Sequence, residues 1–105
     1  MSEIRSLKEF KNRLVQEYKP EKVILFGSYA HGTQVANSDV DILVILEFSG
    51  RSAAKSAEIL NHLDPKFPID LIVRTPEKVK VRLKDNDYFI KEIIEKGVVL
   101  YEASH

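Results

Sequence analysis

The sequence contains no cysteine, and this absence excludes two kinds of site. Disulfide bridges cannot form, and zinc centres built on cysteine thiolates cannot be assembled. The sequence also lacks a run of about 18 apolar residues, which is the minimum that marks a membrane-spanning helix. Its polar N-terminal segment does not resemble a signal peptide. We therefore expect a cytoplasmic protein that has no membrane partner.

The chain also lacks an excess of charge of either sign, because 16 lysines and arginines balance 16 aspartates and glutamates. A protein that holds extended nucleic acid needs a basic surface, so long nucleic acid is not an expected partner. A length of 105 residues suits one domain, 1–105, with one modest core and no second substrate domain. The composition, 44% hydrophobic and 30% charged, is that of an ordinary globular protein.

Hydrophobic spacing along the chain predicts helices and strands in the order α-β-α-β-α-β-α-α-β. The segment after Thr75 is ambiguous, because its apolar residues alternate as in a strand, but the Thr-Pro start favours a short helix. The other predicted helices are 2–18, 29–31, 51–63 and 86–96, and the predicted strands are 23–26, 40–48, 69–73 and 98–101. This order predicts an α+β fold, a sheet of three to four strands covered by helices.

Two acidic residues, Asp39 and Asp41, stand at the start of the second predicted strand. Side chains alternate along a strand, so both carboxylates are expected on one face. Without a partner they would repel each other beside apolar residues, and a divalent cation would remove that conflict. Mg²⁺ is typically held by one or two carboxylates, with water and substrate phosphates as the other ligands. A simple Ser-Asp turn would explain Asp39 but not Asp41.

A glycine-bearing turn, Phe26-Gly27-Ser28-Tyr29-Ala30-His31-Gly32, follows the first predicted strand. Backbone N–H groups in such a turn can hold a phosphate group, although the same sequence could serve only to end a strand. A phosphate cradle combined with metal-binding carboxylates points to phosphoryl or nucleotidyl transfer.

The string GSYAHGTQVANSDVDILV, from Gly27 to Val44, resembles the signature of the DNA polymerase β-like nucleotidyltransferase superfamily. The resemblance is closest to its small prokaryotic branch, the minimal nucleotidyltransferases (MNT). The segment PIDLIV at 68–73 resembles the strand that carries the third catalytic carboxylate, and GVVLYE at 97–102 resembles the closing strand. The resemblance implies a mixed β-sheet. In this sequence His31 replaces the usual basic residue before the second glycine.

The resemblance also implies roles for individual residues. Asp39 and Asp41 would hold the Mg²⁺ ion, or Mn²⁺ as a substitute, that bridges the triphosphate. Asp70 would ligate a second metal and help to deprotonate the attacking hydroxyl group. The implied nucleotide-binding residues are Gly27, Ser28, His31, Gly32 and Ser38.

Several of these residues have plainer interpretations that the sequence leaves open. Asp70 could be an exposed charge or a partner of Arg74, and His31 could be an ordinary surface histidine. Arg74 and Lys55 are further candidates for contact with the triphosphate. Tyr29 could either contact a partner protein or pack against the first helix.

The resulting expectation is a nucleotidyltransferase that moves the NMP group of an NTP, most simply AMP from ATP, to an acceptor hydroxyl and releases pyrophosphate. Resemblance to the MNT branch implies a HEPN-type toxin as the acceptor, with this chain as its antitoxin. The alternatives are a catalytically weak module that masks its partner, and a small-molecule transferase completed by a homo-oligomer. A phosphotransferase of the haloacid dehalogenase type is disfavoured, because it would carry threonine where Leu43 stands.

Overall fold

The computed structural model describes residues 3–35 and 38–104. Within these residues it has the predicted order of helices and strands. The helices are α1 (Leu7–Tyr18), α2 (Ser28–His31), α3 (Ser52–Leu63), α4 (Pro76–Lys84) and α5 (Tyr88–Lys96), and the strands are β1 (Lys22–Phe26), β2 (Val40–Ile45), β3 (Ile69–Arg74) and β4 (Val98–Glu102). In the part of the chain that is described, no helix has the length and apolar character to cross a membrane.

The four strands form one sheet in the order β3-β2-β1-β4. Strand β1 runs antiparallel to both β2 and β4, whereas β2 and β3 run parallel. The sheet is therefore mixed, and the predicted α+β class is confirmed. At one end of the strands, β1 finishes and the other three strands begin. We call this the Gly27 end of the sheet.

The core has two parts, one on each face of the sheet. Helices α1 and α3 cover one face, and helices α4 and α5 cover the other. Strand β2 contributes to both parts, which explains its nearly continuous apolar sequence. Its buried side chains point alternately to the two faces: Val40, Ile42 and Val44 pack towards α1 and α3, and Leu43 and Ile45 pack towards α4 and α5.

Three boundaries differ from the predicted ones by two residues or more. Helix α1 begins at Leu7 because Ser6 is its N-cap, with a hydroxyl that accepts a hydrogen bond from the Glu9 N–H at 3.2 Å. The predicted start at residue 2 lies outside the described residues. Strand β2 ends at Ile45, not at residue 48, because its neighbours β1 and β3 stop at the same level. Helix α5 begins at Tyr88 because Asp87 caps it.

The sequence predicts that Ala53, Ala57, Leu60 and Leu63 form the inner face of α3, and this prediction was partly wrong. Leu63 is buried as expected and Leu60 is half-buried, but Ala53 and Ala57 are exposed, and Ile59 is fully buried. The larger branched side chain therefore faces the core, because it removes more apolar surface from water than an alanine does.

The ambiguous segment after Thr75 is a helix. The Thr75 hydroxyl accepts a hydrogen bond from the Lys78 N–H at 3.2 Å, and Pro76 occupies the first helical position. Val79 is buried on the inner side of α4, whereas Val81 is half exposed. The N-cap therefore predicted the secondary structure of this segment correctly, whereas the alternation of apolar residues did not.

Candidate active site

Asp41 and Asp70 are neighbours on adjacent strands. They occupy paired positions in the parallel register of β2 and β3, and such strands lie about 4.8 Å apart. Both lie on the face covered by α4 and α5, because Leu43 and Ile72, two residues further along each strand, pack into that part of the core. The pairing places two carboxylates side by side at the Gly27 end of the sheet.

The surroundings of Asp41 oppose its negative charge. Partial burial raises the pKa of the Asp41 carboxyl, and the negative charges of Asp70 and Asp39 raise it further. Asp39 lies just before β2 and is exposed. Among the described residues, Asp41 and Asp70 have no ion-pair partner. This end of the sheet therefore concentrates negative charge that a cation would stabilise.

Gly27 joins the glycine-bearing turn, residues 26–32, to these carboxylates. It follows β1 with φ +74° and ψ −155°, a backbone conformation that is accessible essentially to glycine. A Cβ atom at this position would overlap Asp41 Oδ2 and lie 3.1 Å from Asp41 Cγ. The absence of a side chain at Gly27 therefore lets the turn approach the Asp41 carboxylate.

The short helix α2 completes the turn. Ser28 is its first residue, and Gly32 ends it in the left-handed conformation, with an N–H that donates to the Ser28 carbonyl. The first N–H groups of a helix have no acceptor within it and are suited to an anion. His31 lies in the last position of α2 and is exposed.

Ser38 closes the loop that precedes Asp39. Its hydroxyl accepts a hydrogen bond from the Val35 N–H at 3.0 Å, and its own N–H donates to the Val35 carbonyl at 3.0 Å. The Tyr29 hydroxyl donates to the Ser38 carbonyl at 3.3 Å. The hydrogen bond from Tyr29 to Ser38 thus connects α2 to the segment that precedes Asp39 and Asp41.

Arg74 and Lys55 do not lie with the carboxylates. Arg74 stands four residues beyond Asp70 on β3, about 13 Å away at the usual strand rise, and its guanidinium donates to the Val73 carbonyl. The ammonium group of Lys55, on α3, pairs with Glu58 at 3.0 Å and lies over the Tyr18 ring. Arg74 is therefore not a partner of Asp70, and neither cation reaches the site in this structure.

The carboxylates at the Gly27 end suit a metal ion that is partly coordinated by the substrate. Across residues 3–35 and 38–104, no three histidine, cysteine, aspartate or glutamate side chains are grouped so as to bind a metal ion by themselves. Asp41 and Asp70 supply two hard oxygen donors, and Mg²⁺ needs only one or two carboxylates when water and phosphates provide the rest. The residues thus fit Mg²⁺ that arrives with a nucleotide.

A cleft beside the turn was not predicted from the sequence. It has a volume of about 300 Å³ and lies between Phe26-Gly27, His31 and helix α5, from which Phe89 and Glu92 line it. Half of the surface of Phe89 is exposed. The signal available in the sequence is the apolar content of α5, which carries Tyr88, Phe89, Ile90, Ile93 and Ile94 but buries only Ile90 and Ile93.

Comparison with known proteins identifies the family. Residues 7–100 match the nucleotidyltransferase domain family, so the chain belongs to it. The resemblance to minimal nucleotidyltransferases is thereby confirmed.

Two relatives and one solved structure illustrate the similarity. The relatives come from Methanocaldococcus jannaschii. The chain is 33% identical over 105 residues to "Putative protein adenylyltransferase MJ0604", with 96% of this chain and 100% of the relative covered. It is 44% identical over 102 residues to "Putative protein adenylyltransferase MJ0128", covering 94% and 95%. The solved structure "Crystal structure of the toxin-antitoxin with AMP-PNP" matches with a TM-score of 0.59 at 22% identity, over 94% of this chain and 76% of that one. That likeness shows the fold.

Proposed function

We propose that the Gly27 end of the sheet binds a nucleoside triphosphate with Mg²⁺ and transfers its NMP group, as AMP from ATP, to a hydroxyl group of a partner protein. The observation that carries the proposal is the position of Asp41, which lies beside Asp70 in register and against Gly27 of the glycine-bearing turn. Metal-binding carboxylates and a phosphate cradle therefore meet at one point of the fold.

In this proposal, the turn and the loop bind the nucleotide. Ser28 and the N–H groups at the start of α2 face the distal phosphates, and Gly32 allows the chain to turn away from them. His31 replaces the usual basic residue and contributes charge only when it is protonated. Ser38, through its hydrogen bonds to Val35, positions the segment that carries Asp39.

Asp39, Asp41 and Asp70 carry the chemistry. The acceptor oxygen attacks the α-phosphorus, the bond from that phosphorus to the bridging oxygen of the β-phosphate breaks, and pyrophosphate leaves. The proton of the acceptor hydroxyl passes to Asp70. Bound Mg²⁺ would be held by Asp39 and Asp41 and would neutralise the triphosphate, and Asp70 would ligate a second metal ion. The residues themselves hold the reactants in line, which accounts for much of the rate enhancement in such transfers.

The partner is proposed to be a HEPN-type toxin, which would make this chain its antitoxin. Two observations support a protein acceptor: the relatives are named as protein adenylyltransferases, and the fold matches a toxin-antitoxin structure.

A second candidate function is a masking module that neutralises its partner by binding without turnover. The observation that favours it is the match to a toxin-antitoxin structure, which is compatible with a chain that acts by forming a complex. The acidic residues Asp41 and Asp70 would then be remnants of a catalytic site.

One experiment separates the two functions. The chain is co-expressed with the product of its neighbouring gene, and the partner is analysed by intact-mass spectrometry after incubation with ATP and Mg²⁺. Transfer predicts the mass of one or more AMP groups on the partner, and no addition with the double variant Asp39→Asn/Asp41→Asn. A stable complex that carries no modification with any NTP would support masking instead.

A further inference from the structure

A cleft adjoins the acidic residues at the Gly27 end of the sheet. The cleft between the turn and α5 shares Gly27 with the acidic site, because the same residue lines the cleft and contacts the Asp41 carboxylate. Its volume of about 300 Å³ is at the lower end of the range for small-molecule sites. A space of this size suits one ring system, not a whole nucleoside triphosphate.

The walls of the cleft are aromatic on two sides. The rings of Phe26 and Phe89 meet edge to face, with centroids 5.8 Å apart and an interplanar angle of 88°. Phe26 is partly buried, whereas half of the surface of Phe89 remains open. An aromatic side chain with open surface beside a cleft can stack on a planar base.

The floor of the cleft depends on Gly97. A Cβ atom there would lie 2.5 Å from Ile24 Cγ2 and 2.5 Å from the Ile93 carbonyl oxygen. The missing side chain allows α5 to end close to β1, which keeps Phe89 near Phe26. The shape of the cleft is therefore fixed by packing of the core.

The α5 side of the cleft carries the charge of Glu92, which disfavours a phosphate and suits an amino group, whereas His31 lies on the side of the turn. Glu92 lines the cleft and is only weakly paired, with Lys96 Nζ 3.7 Å away at an exposed position. A carboxylate repels phosphate oxygens but accepts a hydrogen bond from an exocyclic amino group. The cleft thus matches the base of a nucleotide better than its triphosphate.

The order of the strands separates the cleft from the acceptor side. Across the Gly27 end of the sheet the sequence of groups is Asp70 on β3, Asp41 on β2, Gly27 on β1 and Gly97 before β4. The acceptor hydroxyl is proposed to approach at Asp70, so the cleft lies on the opposite flank, where the donor nucleotide extends.

We propose that this cleft binds the purine base of the donor nucleotide, with Phe89 stacking on the ring and Glu92 accepting a hydrogen bond from the 6-amino group. The inference rests on the proposed nucleotidyl transfer, since it assigns the base of the same substrate. It makes Phe89 and Glu92 specificity-determining residues for adenine.

The test is calorimetric binding of three probes in the presence of Mg²⁺: ATP, purine riboside triphosphate, which lacks the 6-amino group, and inorganic tripolyphosphate. Wild-type protein is expected to bind ATP about three- to tenfold more tightly than purine riboside triphosphate, and Glu92→Leu is expected to remove this difference. Phe89→Ala should weaken both nucleotides about tenfold and leave tripolyphosphate unchanged. The matched controls are Glu95→Leu and Tyr88→Ala, exposed positions on the same helix that do not line the cleft.

Each other outcome contradicts the inference. If both cleft variants bind ATP as the wild type does, the base lies elsewhere, whereas tripolyphosphate binding would still support the proposed phosphate and metal site. If ATP binding is retained but transfer to the partner protein is lost, the cleft accepts the acceptor side chain. If the wild type binds neither ATP nor tripolyphosphate, both the inference and the proposed function are wrong.

Discussion

The α-carbon of Gly27 packs against the carboxylate of Asp41, so closely that a side chain at Gly27 would occupy the position of Asp41 Oδ2. Phe26, the residue before the glycine, is paired with Asp41 in the antiparallel register of β1 and β2. The glycine-bearing turn, residues 26–32, and the acidic residues Asp41 and Asp70 are thus one structural unit. A substitution at Gly27 or Asp41 should therefore change the conformation of the other residue.

The substitution Gly27→Ala tests this unit. The backbone at φ +74° and ψ −155° is unfavourable for alanine, and its Cβ would force the Asp41 carboxylate to rotate away. We expect a loss of stability of about 1–3 kcal/mol and a loss of nucleotide binding. Chemical denaturation and calorimetry measure the two effects. Gly50→Ala is the control, because φ is +93° there but no atom lies within 4 Å of the point that a Cβ atom would occupy. It should lose stability and keep binding.

The charge of Asp41 predicts an unusual pH dependence of stability. Its pKa is raised in the folded protein, so folding favours the protonated form, and the contribution of Asp41 to stability falls as pH rises through that pKa. Asp41→Asn should therefore raise the melting temperature at neutral pH without divalent ions, and the gain should disappear below the ordinary carboxyl pKa. Thermal scans across this pH range check the sign. A variant that is less stable than wild type at neutral pH would show that Asp41 has a stabilising partner.

Bound Mg²⁺ should offset the higher melting temperature expected for Asp41→Asn. A cation at the acidic cluster stabilises the wild type by binding only the folded state, and this effect needs the Asp41 carboxylate. We expect Mg²⁺ added together with ATP to raise the melting temperature of wild type more than that of Asp41→Asn. An equal response of the two proteins would place the cation elsewhere.

The proposed role of Asp70 is in the chemical step. Asp70→Asn should lower the transfer rate about 100-fold or more, because it removes the group that takes the acceptor proton. Affinity for ATP should change less than about threefold, since Asp41 and the turn are intact. Single-turnover transfer and equilibrium binding separate these quantities. Equal losses of rate and affinity would show that Asp70 binds the metal ion that holds the nucleotide. An unchanged rate would show that Asp70 has no role in the chemical step.

Tyr29 is predicted to order the loop that leads to Asp39. Tyr29→Phe removes the hydrogen bond to the Ser38 carbonyl, which should cost about 0.5–1 kcal/mol locally. We expect amide hydrogen exchange at Val35 and Ser38 to become a few times faster, as measured by NMR. Tyr88→Phe is the control, because the side chain of Tyr88 is 72% exposed. Unchanged exchange in Tyr29→Phe would show that this hydrogen bond does not hold the loop.

Much of the fold could be predicted because local signals agreed. The apolar run at 23–26 is typical of a strand buried on both faces, and β1 does contribute to both parts of the core. The Thr75-Pro76 cap correctly indicated helix α4 over the competing alternation. The boundaries were less accurate where tertiary contacts set them. Strand β2 ends where its neighbours end, and no local pattern near residue 48 records this.

The site was predicted as a set of residue types, and its geometry required the fold. Sequence spacing placed Asp39 and Asp41 together, but the register of β2 and β3 is what sets Asp70 beside Asp41. The cleft lined by Phe89 and Glu92 depends on how α5 crosses β1, which involves residues more than 60 positions apart. The assigned roles of the eight site residues stay predictions that the measurements above address.

The most direct test of the central claim is calorimetric titration of ATP with and without Mg²⁺ into three proteins: wild type, Asp39→Asn/Asp41→Asn, and the control Glu47→Gln/Glu77→Gln. The control also removes two exposed acidic charges, at positions that follow β2 and β3 and so lie away from the Gly27 end. We predict Mg²⁺-dependent binding by wild type and control, and a loss of at least about tenfold in affinity in the aspartate variant. Equal Mg²⁺-dependent affinity in all three proteins would contradict the assignment of this site.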